Sequence, residues 1–198
     1  MAANAIDAVS ASLQERHYEQ LSKILDACEL ESSNPHVLED WPCALHLLGH
    51  IYNQNLNDAR FLWKRIPASV KQNNPELEAV WRLLQFAWSR QYQGLWQALQ
   101  GYQWSTQLQP LIESLVIKMR EHLLDLISTA YATVTPAKIA LLCGMTQAET
   151  LSTCRLLGWQ IDDSTGMCKV LPKNTEGKKL DSAANLQQMT EYMIHLEQ

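Results

Sequence analysis

The sequence predicts a mainly α-helical fold, in which a TPR-like superhelix of helical repeats leads into a winged-helix unit with a small β-hairpin and then a C-terminal helix. Apolar residues recur at helical spacing through most of the chain, which is the primary signal for amphipathic helices. Thr135–Leu171 contains start and stop signals for two short helices and then two strands. Four parts are expected: a repeat region at 1–108, a winged-helix subdomain at 109–172, a linker at 173–181 and a last helix at 182–198.

The repeat region is predicted from helix boundaries along the first half of the chain. A helix over Leu13–Leu30 is followed by one that opens after Pro42. Pro67 interrupts the third helix, because proline removes a donor and clashes with the preceding turn. Asn74 and Pro75 start the next helix as a cap and a first-position proline. Short loops between such helices favour antiparallel pairs, as in helical-repeat superhelices.

Most of the tryptophans lie in this half of the chain. They are Trp41, Trp63, Trp81, Trp88, Trp96 and Trp104. Trp81 and Trp88 share a helical stripe with Leu77 and Leu84, so packing between helices is the simplest interpretation. A ligand-stacking role would require exposed rings beside basic residues.

A long amphipathic helix is predicted from Leu111 to Ala130, with no glycine or proline to break it. Its apolar positions are Ile112, Leu115, Val116, Met119, Leu123, Leu126, Ile127 and Ala130. We expect this helix to pack against both the repeat region and the winged-helix unit and so to couple them.

The two short helices of the winged-helix unit have local boundary signals. Thr135 fits the cap of a helix that ends at Gly144, since glycine readily adopts the left-handed conformation of a helix end. Thr146 and Glu149 fit the capping box that starts the second helix, which stops at Gly158.

A β-hairpin is predicted after these helices. Trp159–Ile161 alternates as a strand, Asp163–Gly166 has turn chemistry, and Met167–Leu171 returns. A hairpin of two strands is marginal alone and exposes unpaired edge groups. We therefore expect Met167–Leu171 to accept a strand from a neighbouring protein by β-augmentation.

The last predicted helix needs a surface to lie on. Its apolar residues follow three-four-three spacing: Leu186, Met189, Met193 and Leu196. Burying each side chain contributes about 1.5–3 kcal/mol, and four together contribute on the order of 8 kcal/mol. That surface is either the body of the chain itself or a bundle of helices from other proteins.

Composition narrows the class of protein. The formal charge of -5 argues against a general affinity for polyanions. Five cysteines without a C-x-x-C pair predict buried thiols in a reducing compartment. The N-terminus lacks the features of a signal peptide, and no apolar run is long enough to span a bilayer, so we expect a soluble intracellular protein without a membrane partner.

No catalytic, cofactor-binding or metal-binding residues are predicted. His46 and His50 have the i, i+4 spacing of zinc ligands, but Leu47 replaces the glutamate of the metalloprotease motif and no third ligand is evident nearby. We interpret both histidines as surface or packing residues. Cys143 and Cys154 lie in a region without histidine, so a Cys-His nucleophile is not expected there.

The helix that would enter the major groove of DNA argues against a nucleic-acid role. Gln147–Leu157 has Arg155 as its only basic residue, and the charges between Val134 and Leu171 sum to zero. The basic stretch Arg60–Lys71 in the helical half remains open to three interpretations: a solvated face, a site for an acidic protein partner, or an RNA site.

Three stretches of the chain carry a likeness to a known family. They are NDARFLWKRIP (Asn57–Pro67), GYQWSTQLQPLIE (Gly101–Glu113) and TEYMIHLEQ (Thr190–Gln198). They resemble the family of small PCI-domain subunits of the COP-nine signalosome, its subunit eight. The likeness runs from about Trp41 to the C-terminus, and the WPCALHLLGH segment is closer to plant-type members.

This resemblance implies a non-catalytic structural subunit of the nucleus and cytoplasm. The family's complex removes the ubiquitin-like modifier Nedd (Rub in plants) from cullins, using a zinc metalloprotease in another subunit. Winged helices of its PCI subunits associate through their small sheets, and the C-terminal helices of its subunits form one bundle. The implied contact residues are Met167, Lys169 and Val170 on the hairpin, and Leu186, Met189, Met193 and Leu196 on the last helix. The alternatives are a PCI subunit of the proteasome lid or an initiation factor, or a nucleic-acid-binding winged-helix protein.

Overall fold

The computed structural model describes residues 13, 16–32, 38, 41–162, 166–171 and 190 of the 198-residue chain. The described part contains nine helices and a three-stranded antiparallel sheet. The helices are α1 (Tyr18–Glu31), α2 (Cys43–Tyr52), α3 (Leu56–Arg65), α4 (Ala68–Asn73), α5 (Pro75–Trp88), α6 (Tyr92–Gly101), α7 (Gln109–Ala130), α8 (Pro136–Cys143) and α9 (Gln147–Leu156). The strands are β1 (Thr133–Val134), β2 (Gln160–Asp162) and β3 (Met167–Lys169).

The predicted helix starts are confirmed at two places by their capping hydrogen bonds. Asn74 begins α5, and its Oδ1 accepts from the Leu77 N–H at 3.0 Å. At α9 the Thr146 N–H donates to Glu149 Oε2 at 2.9 Å, and the Glu149 N–H donates to Thr146 Oγ1 at 3.3 Å, so the capping box is complete. Thr135 also stands at the predicted cap of α8, but its side chain makes no capping hydrogen bond.

Helix α2 lies at the centre of the helical half. All ten of its residues are buried, because α1, α3, α5 and α7 each contact it. Its sequence is apolar nearly all round, which is typical of a helix enclosed by others. A continuous hydrophobic core extends from these helices to the sheet.

The predicted stripe on α5 is partly wrong. Leu77 and Leu84 are buried as expected, but the other buried positions are Val80 and Leu83. Trp88 is instead 47% exposed. Helix α7 differs from its prediction in the same way. Leu126 was predicted to lie on the buried apolar face of that helix, but it is exposed. In both helices the positions of the neighbouring helices, and not hydrophobicity alone, decide which side chains are covered.

The sheet differs from the predicted hairpin by one strand. Its order is β1-β3-β2, with Val134 opposite Cys168 and Ile161 also opposite Cys168. Strand β3 is therefore the central strand and has a partner on each side. The two-residue β1 is too short for side-chain alternation to reveal it in the sequence.

Helix α7 contacts both halves of the chain, as predicted. On one side the Tyr52 hydroxyl and Ser114 Oγ form a hydrogen bond of 3.3 Å. On the other side the Arg120 guanidinium donates to the carbonyls of Cys143 and Gly144 at 3.2 and 2.9 Å. These two carbonyls lie at the end of α8, so α7 ties the sheet region to the helical core. Among the described residues, no helix is both long and apolar enough for a membrane span.

Candidate protein-docking surfaces

The two histidines of α2 belong to a buried polar cluster with an aspartate from α1. His46 and His50 are fully buried, and their rings stack with centroids 4.9 Å apart. Their Nε2 atoms lie 3.0 and 3.3 Å from Asp26 Oδ1. The expectation that no third potential ligand lies nearby is therefore wrong, because the packing of α1 on α2 brings Asp26 to both rings. Of the two expected roles, surface or packing, the burial of both histidines fits packing and not the surface.

The positions and hydrogen bonds of Asp26, His46 and His50 show whether these three side chains could bind a metal ion. The three potential ligand atoms lie within 4.8 Å of one another, which is close enough for a shared ion. However, the Trp41 indole N–H donates to His46 Nδ1 at 3.1 Å, so the proton of the neutral ring is on Nε2 and points at Asp26. Metal binding at Nε2 would require that proton to leave and the Trp41 bond to break. The arrangement fits a hydrogen-bonded link between α1 and α2 better than a metal centre.

Because of this buried cluster, we expect the folded protein to lose stability in mild acid. Burial, with the neighbouring His50 as the next cause, lowers the pKa of His46 from 6.5 to about 4. Between those values the unfolded chain takes up a proton that the folded chain does not bind, so stability falls as the pH drops through this window. We expect the free energy of unfolding to decrease by about 2 kcal/mol between pH 8 and pH 5.

Urea unfolding at the two pH values would measure this effect. The matched variant is His46→Gln, which lowers overall stability but removes the titrating ring, and its free energy of unfolding should depend less on pH. A hydrogen bond from Lys118 lowers the pKa of the Glu19 carboxyl, and one from the Thr146 backbone lowers the pKa of Glu149, so these two exposed groups contribute only in stronger acid. An equal pH dependence in both proteins would contradict the assignment to His46.

The cysteines near the sheet are buried thiols. Cys154 and Cys168 have their Sγ atoms 4.0 Å apart. Burial raises the pKa of Cys143 to about 11, while burial and the adjacent Cys168 raise the pKa of Cys154 to about 12. These groups are thiols and not thiolates at neutral pH, which makes them poor nucleophiles.

The three predicted contact residues of the hairpin do not share one environment. Met167 is 43% exposed, and Lys169 is exposed, whereas Val170 is buried and faces the core. Both edges of β3 are paired, with Thr133 opposite Lys169 on one side and Asp162 opposite Met167 on the other. The expectation that this strand accepts a neighbour's strand is therefore wrong, and the outer positions of the sheet belong to β1 and β2.

Exposed apolar side chains flank the sheet. Leu156 at the end of α9 is 87% exposed, and Leu157, Met167 and Leu171 are also exposed. Leu156 is not among the predicted contact residues, although an apolar pair directly before Gly158 is a signal that could have shown its exposure. Arg155, the only basic residue of α9, is exposed beside this pair. The four contact residues predicted on the last helix, namely Leu186, Met189, Met193 and Leu196, lie outside the described residues.

Comparison with known proteins identifies relatives of the whole chain. Residues 37–179 match the CSN8/PSMD8/EIF3K family. The chain is 31% identical to COP9 signalosome complex subunit 8 of Arabidopsis thaliana over 191 residues, which cover 96% of this chain and 97% of that protein. It is also 31% identical to the subunit 8 of Xenopus laevis over 199 residues, covering 96% and 98% of the two chains. The resemblance to signalosome subunit eight that the sequence motifs indicated is confirmed by these matches, and a plant protein is among the relatives matched along nearly the whole chain.

The string FLWKRIP and the sheet both lie within the residues that match the family. FLWKRIP lies on α3 and its C-terminal end. The family match covers well over half of the chain, and the two relatives are matched along nearly their whole length. This chain therefore belongs to the CSN8/PSMD8/EIF3K family.

Proposed function

We propose that this chain is a non-catalytic structural subunit of the COP9 signalosome, which acts by assembling with other subunits of that complex. The observation that carries this proposal is the match to subunit 8 proteins from a plant and an animal along 96% of the chain. The protonated, buried cysteines and the hydrogen-bonded histidine cluster support a role without chemistry of its own. In this proposal the complex removes Nedd or Rub from cullin-RING ligases through an active site in another subunit.

We further propose that residues 109–172 are a winged-helix subdomain preceded by a TPR-like repeat region at 1–108. The order of α7, β1, α8, α9, β2 and β3 supports this proposal, since short helices followed by a small sheet are what a winged helix requires. Its role would be to dock protein and not nucleic acid, because one basic residue on α9 neutralises too few phosphates.

The sheet is the first proposed contact surface. Met167 and Lys169 extend from the central strand on its exposed face, whereas Val170 supports that strand from the core side. A neighbouring sheet would add beside β2 or β1, since β3 has no open edge. The exposed Leu156 and Leu171 would then be covered by the partner, which contributes to association through the hydrophobic effect.

The last helix is the second proposed contact surface. Leu186, Met189, Met193 and Leu196 would join a bundle of helices from several subunits, with residues 173–181 as the linker. Their three-four-three spacing supports this proposal, because it gives one continuous apolar stripe.

Co-expression with the other signalosome subunits tests both surfaces. We expect deletion of 182–198 to abolish recovery of the chain in the complex while the far-UV circular dichroism per residue changes little. Met167→Glu with Lys169→Glu should reduce recovery through the sheet. Lys23→Glu with Lys138→Glu, which also alters two exposed residues, serves as the control and should assemble normally.

Three results would count against the proposal. Normal assembly of the deletion variant would exclude the bundle as a required contact, and normal assembly of the sheet variant would exclude the sheet. Recovery of the unaltered chain with proteasome-lid or initiation-factor subunits, and not with signalosome subunits, would assign it to another assembly.

A further inference from the structure

Helices α3 and α5 form one face on which aromatic rings and cations are interleaved. Arg60, Trp63 and Lys64 are three and four residues apart on α3, so they lie on the same side of that helix. Trp81 and Trp88 are two turns apart on α5 and also share a side. The rings of Trp63 and Trp81 stack with centroids 4.5 Å apart and planes 5° apart, which joins the two sides into one face.

Each cation of this face rests on a ring. Arg60 Cζ lies 5.2 Å from the centre of the Trp88 ring, and Lys64 Nζ lies 5.5 Å from that of Phe61. Lys71 Nζ lies 4.9 Å from the Trp63 ring. We call these residues the aromatic-basic face: Arg60, Phe61, Trp63, Lys64, Lys71 and Trp88.

Two of its rings are about half exposed to water, which is unusual for large aromatic side chains. Phe61 is 57% exposed and Trp88 is 47% exposed. Packing between helices was the simplest interpretation of the tryptophans, and it holds for the Trp63–Trp81 stack. Trp88 meets the other condition, that of an exposed ring beside a basic residue. Exposed aromatic residues next to arginine are typical of the central contacts of protein interfaces.

The cations of this face have no acidic partner within the part of the chain that the structure describes. The ion pairs of lysine and arginine there are Arg65–Glu29, Arg82–Glu78 and Lys118–Glu19. None of them involves Arg60, Lys64 or Lys71. In a chain with a formal charge of -5, three cations on one face without an acidic partner among the described residues indicate complementarity to an acidic ligand.

We propose that the aromatic-basic face docks an acidic segment of a partner protein. Its carboxylates would accept hydrogen bonds from Arg60 and Lys64, and an apolar side chain of the segment would lie against Trp88 and Phe61. The ring under Arg60 orients the guanidinium while its N–H edge stays available for a carboxylate. This face belongs to α3, Lys71 and α5 and shares no residue with the sheet, so the inference does not depend on the proposed function.

The same features favour an acidic peptide over RNA. Nucleic-acid affinity comes mostly from neutralising several backbone phosphates, and this face has three available cations. The next arginine, Arg65, is already paired with Glu29 at 2.8 Å. Two or three carboxylates with an apolar residue between them match the available groups more closely.

Fluorescence anisotropy on the full-length chain would test the proposal. The probe is a fluorescein-labelled peptide of repeating Asp-Glu-Phe units, compared with an Asn-Gln-Phe peptide of equal length and with labelled oligouridylate. We expect the acidic peptide to bind best and its affinity to fall as salt is added. Arg60→Glu with Lys64→Glu should weaken its binding by roughly tenfold or more. Trp88→Ala should weaken it by about three- to tenfold and leave the preference for the acidic peptide unchanged.

The control variant is Lys23→Glu with Lys138→Glu, which makes the same change of net charge on exposed residues of two other helices, α1 and α8. Its affinity should remain near that of the unaltered chain. Equal loss in both double variants, equal binding of the amide peptide, or absence of binding by the acidic peptide would overturn the proposal. Tighter binding of oligouridylate, lost on Arg60→Glu with Lys64→Glu, would assign the face to nucleic acid. Circular dichroism and the thermal midpoint of each variant show whether it is folded.

Discussion

Replacing Trp96 with alanine is expected to lower the free energy of unfolding by about 3–5 kcal/mol, which is the usual range for removing a large buried aromatic ring. Trp96 lies on α6 and is buried where that helix packs against α8. Its indole N–H donates to the Leu142 carbonyl at 2.8 Å, and the Arg120 guanidinium lies 5.7 Å from its ring centre. The substitution would therefore open a cavity and also leave the Leu142 carbonyl without this donor.

Two further substitutions separate these contributions. Trp96→Phe keeps much of the ring but removes the N–H, so it should cost about 1–3 kcal/mol. Trp88→Ala is the matched control, since it makes the same chemical change at a half-exposed ring on α5 and should cost much less. Urea unfolding followed by circular dichroism avoids the change in tryptophan fluorescence. A loss for Trp96→Ala no greater than that for Trp88→Ala would show that Trp96 does not hold the two regions together.

The structural features that could be predicted from the sequence are those determined by residues within a few positions of each other in the chain. The Thr146 hydroxyl and the Glu149 carboxylate reach each other's backbone within one helical turn, so the two residue types at that spacing were sufficient. Gly144 adopts a φ of 59° at the end of α8, where glycine has little steric cost. Pro67 separates α3 from α4 for an equally local reason.

The features that were missed depend on residues far apart in the chain. Val134 is in a strand because it pairs with Cys168, and nothing in its immediate neighbours requires that. Asp26 meets His46 because α1 packs against α2. Among the predicted contact residues, Met167 and Val170 are similar in hydrophobicity, yet only the packing of the sheet shows that one is exposed and the other buried.

Replacing Gly144 with alanine is the second substitution expected to cause a large loss of stability, because Gly144 lies directly against Trp96. A Cβ added there would be 2.4 Å from Trp96 Cγ, closer than real Cβ contacts allow. The residue also has a φ of 59°, a conformation that costs roughly 1–2 kcal/mol for a residue with a side chain. Overpacking against a rigid ring adds about 1–3 kcal/mol. Gly144→Ala should therefore cost about 2–5 kcal/mol in the free energy of unfolding.

Gly158 provides the control for the backbone contribution. Its φ is 73°, but among the described residues no atom outside its two chain neighbours lies within 4 Å of the Cβ that alanine would add. Gly158→Ala should thus cost only the roughly 1–2 kcal/mol of the left-handed conformation. The difference between the two glycine variants measures the collision with Trp96, and equal losses would show that the ring moves aside without cost.

A double-mutant cycle tests whether the collision and the cavity occur at the same place. If Trp96 is already alanine, the Cβ at Gly144 meets space instead of a ring, so the second substitution should lose its overpacking cost and keep only its backbone cost. We expect the double variant to be more stable than the sum of the two single effects predicts, by about 1–3 kcal/mol. Additive effects would mean that the two residues do not restrain each other. In that case the hydrogen bonds from Arg120 to the end of α8 would hold the sheet region to the helical core without Trp96.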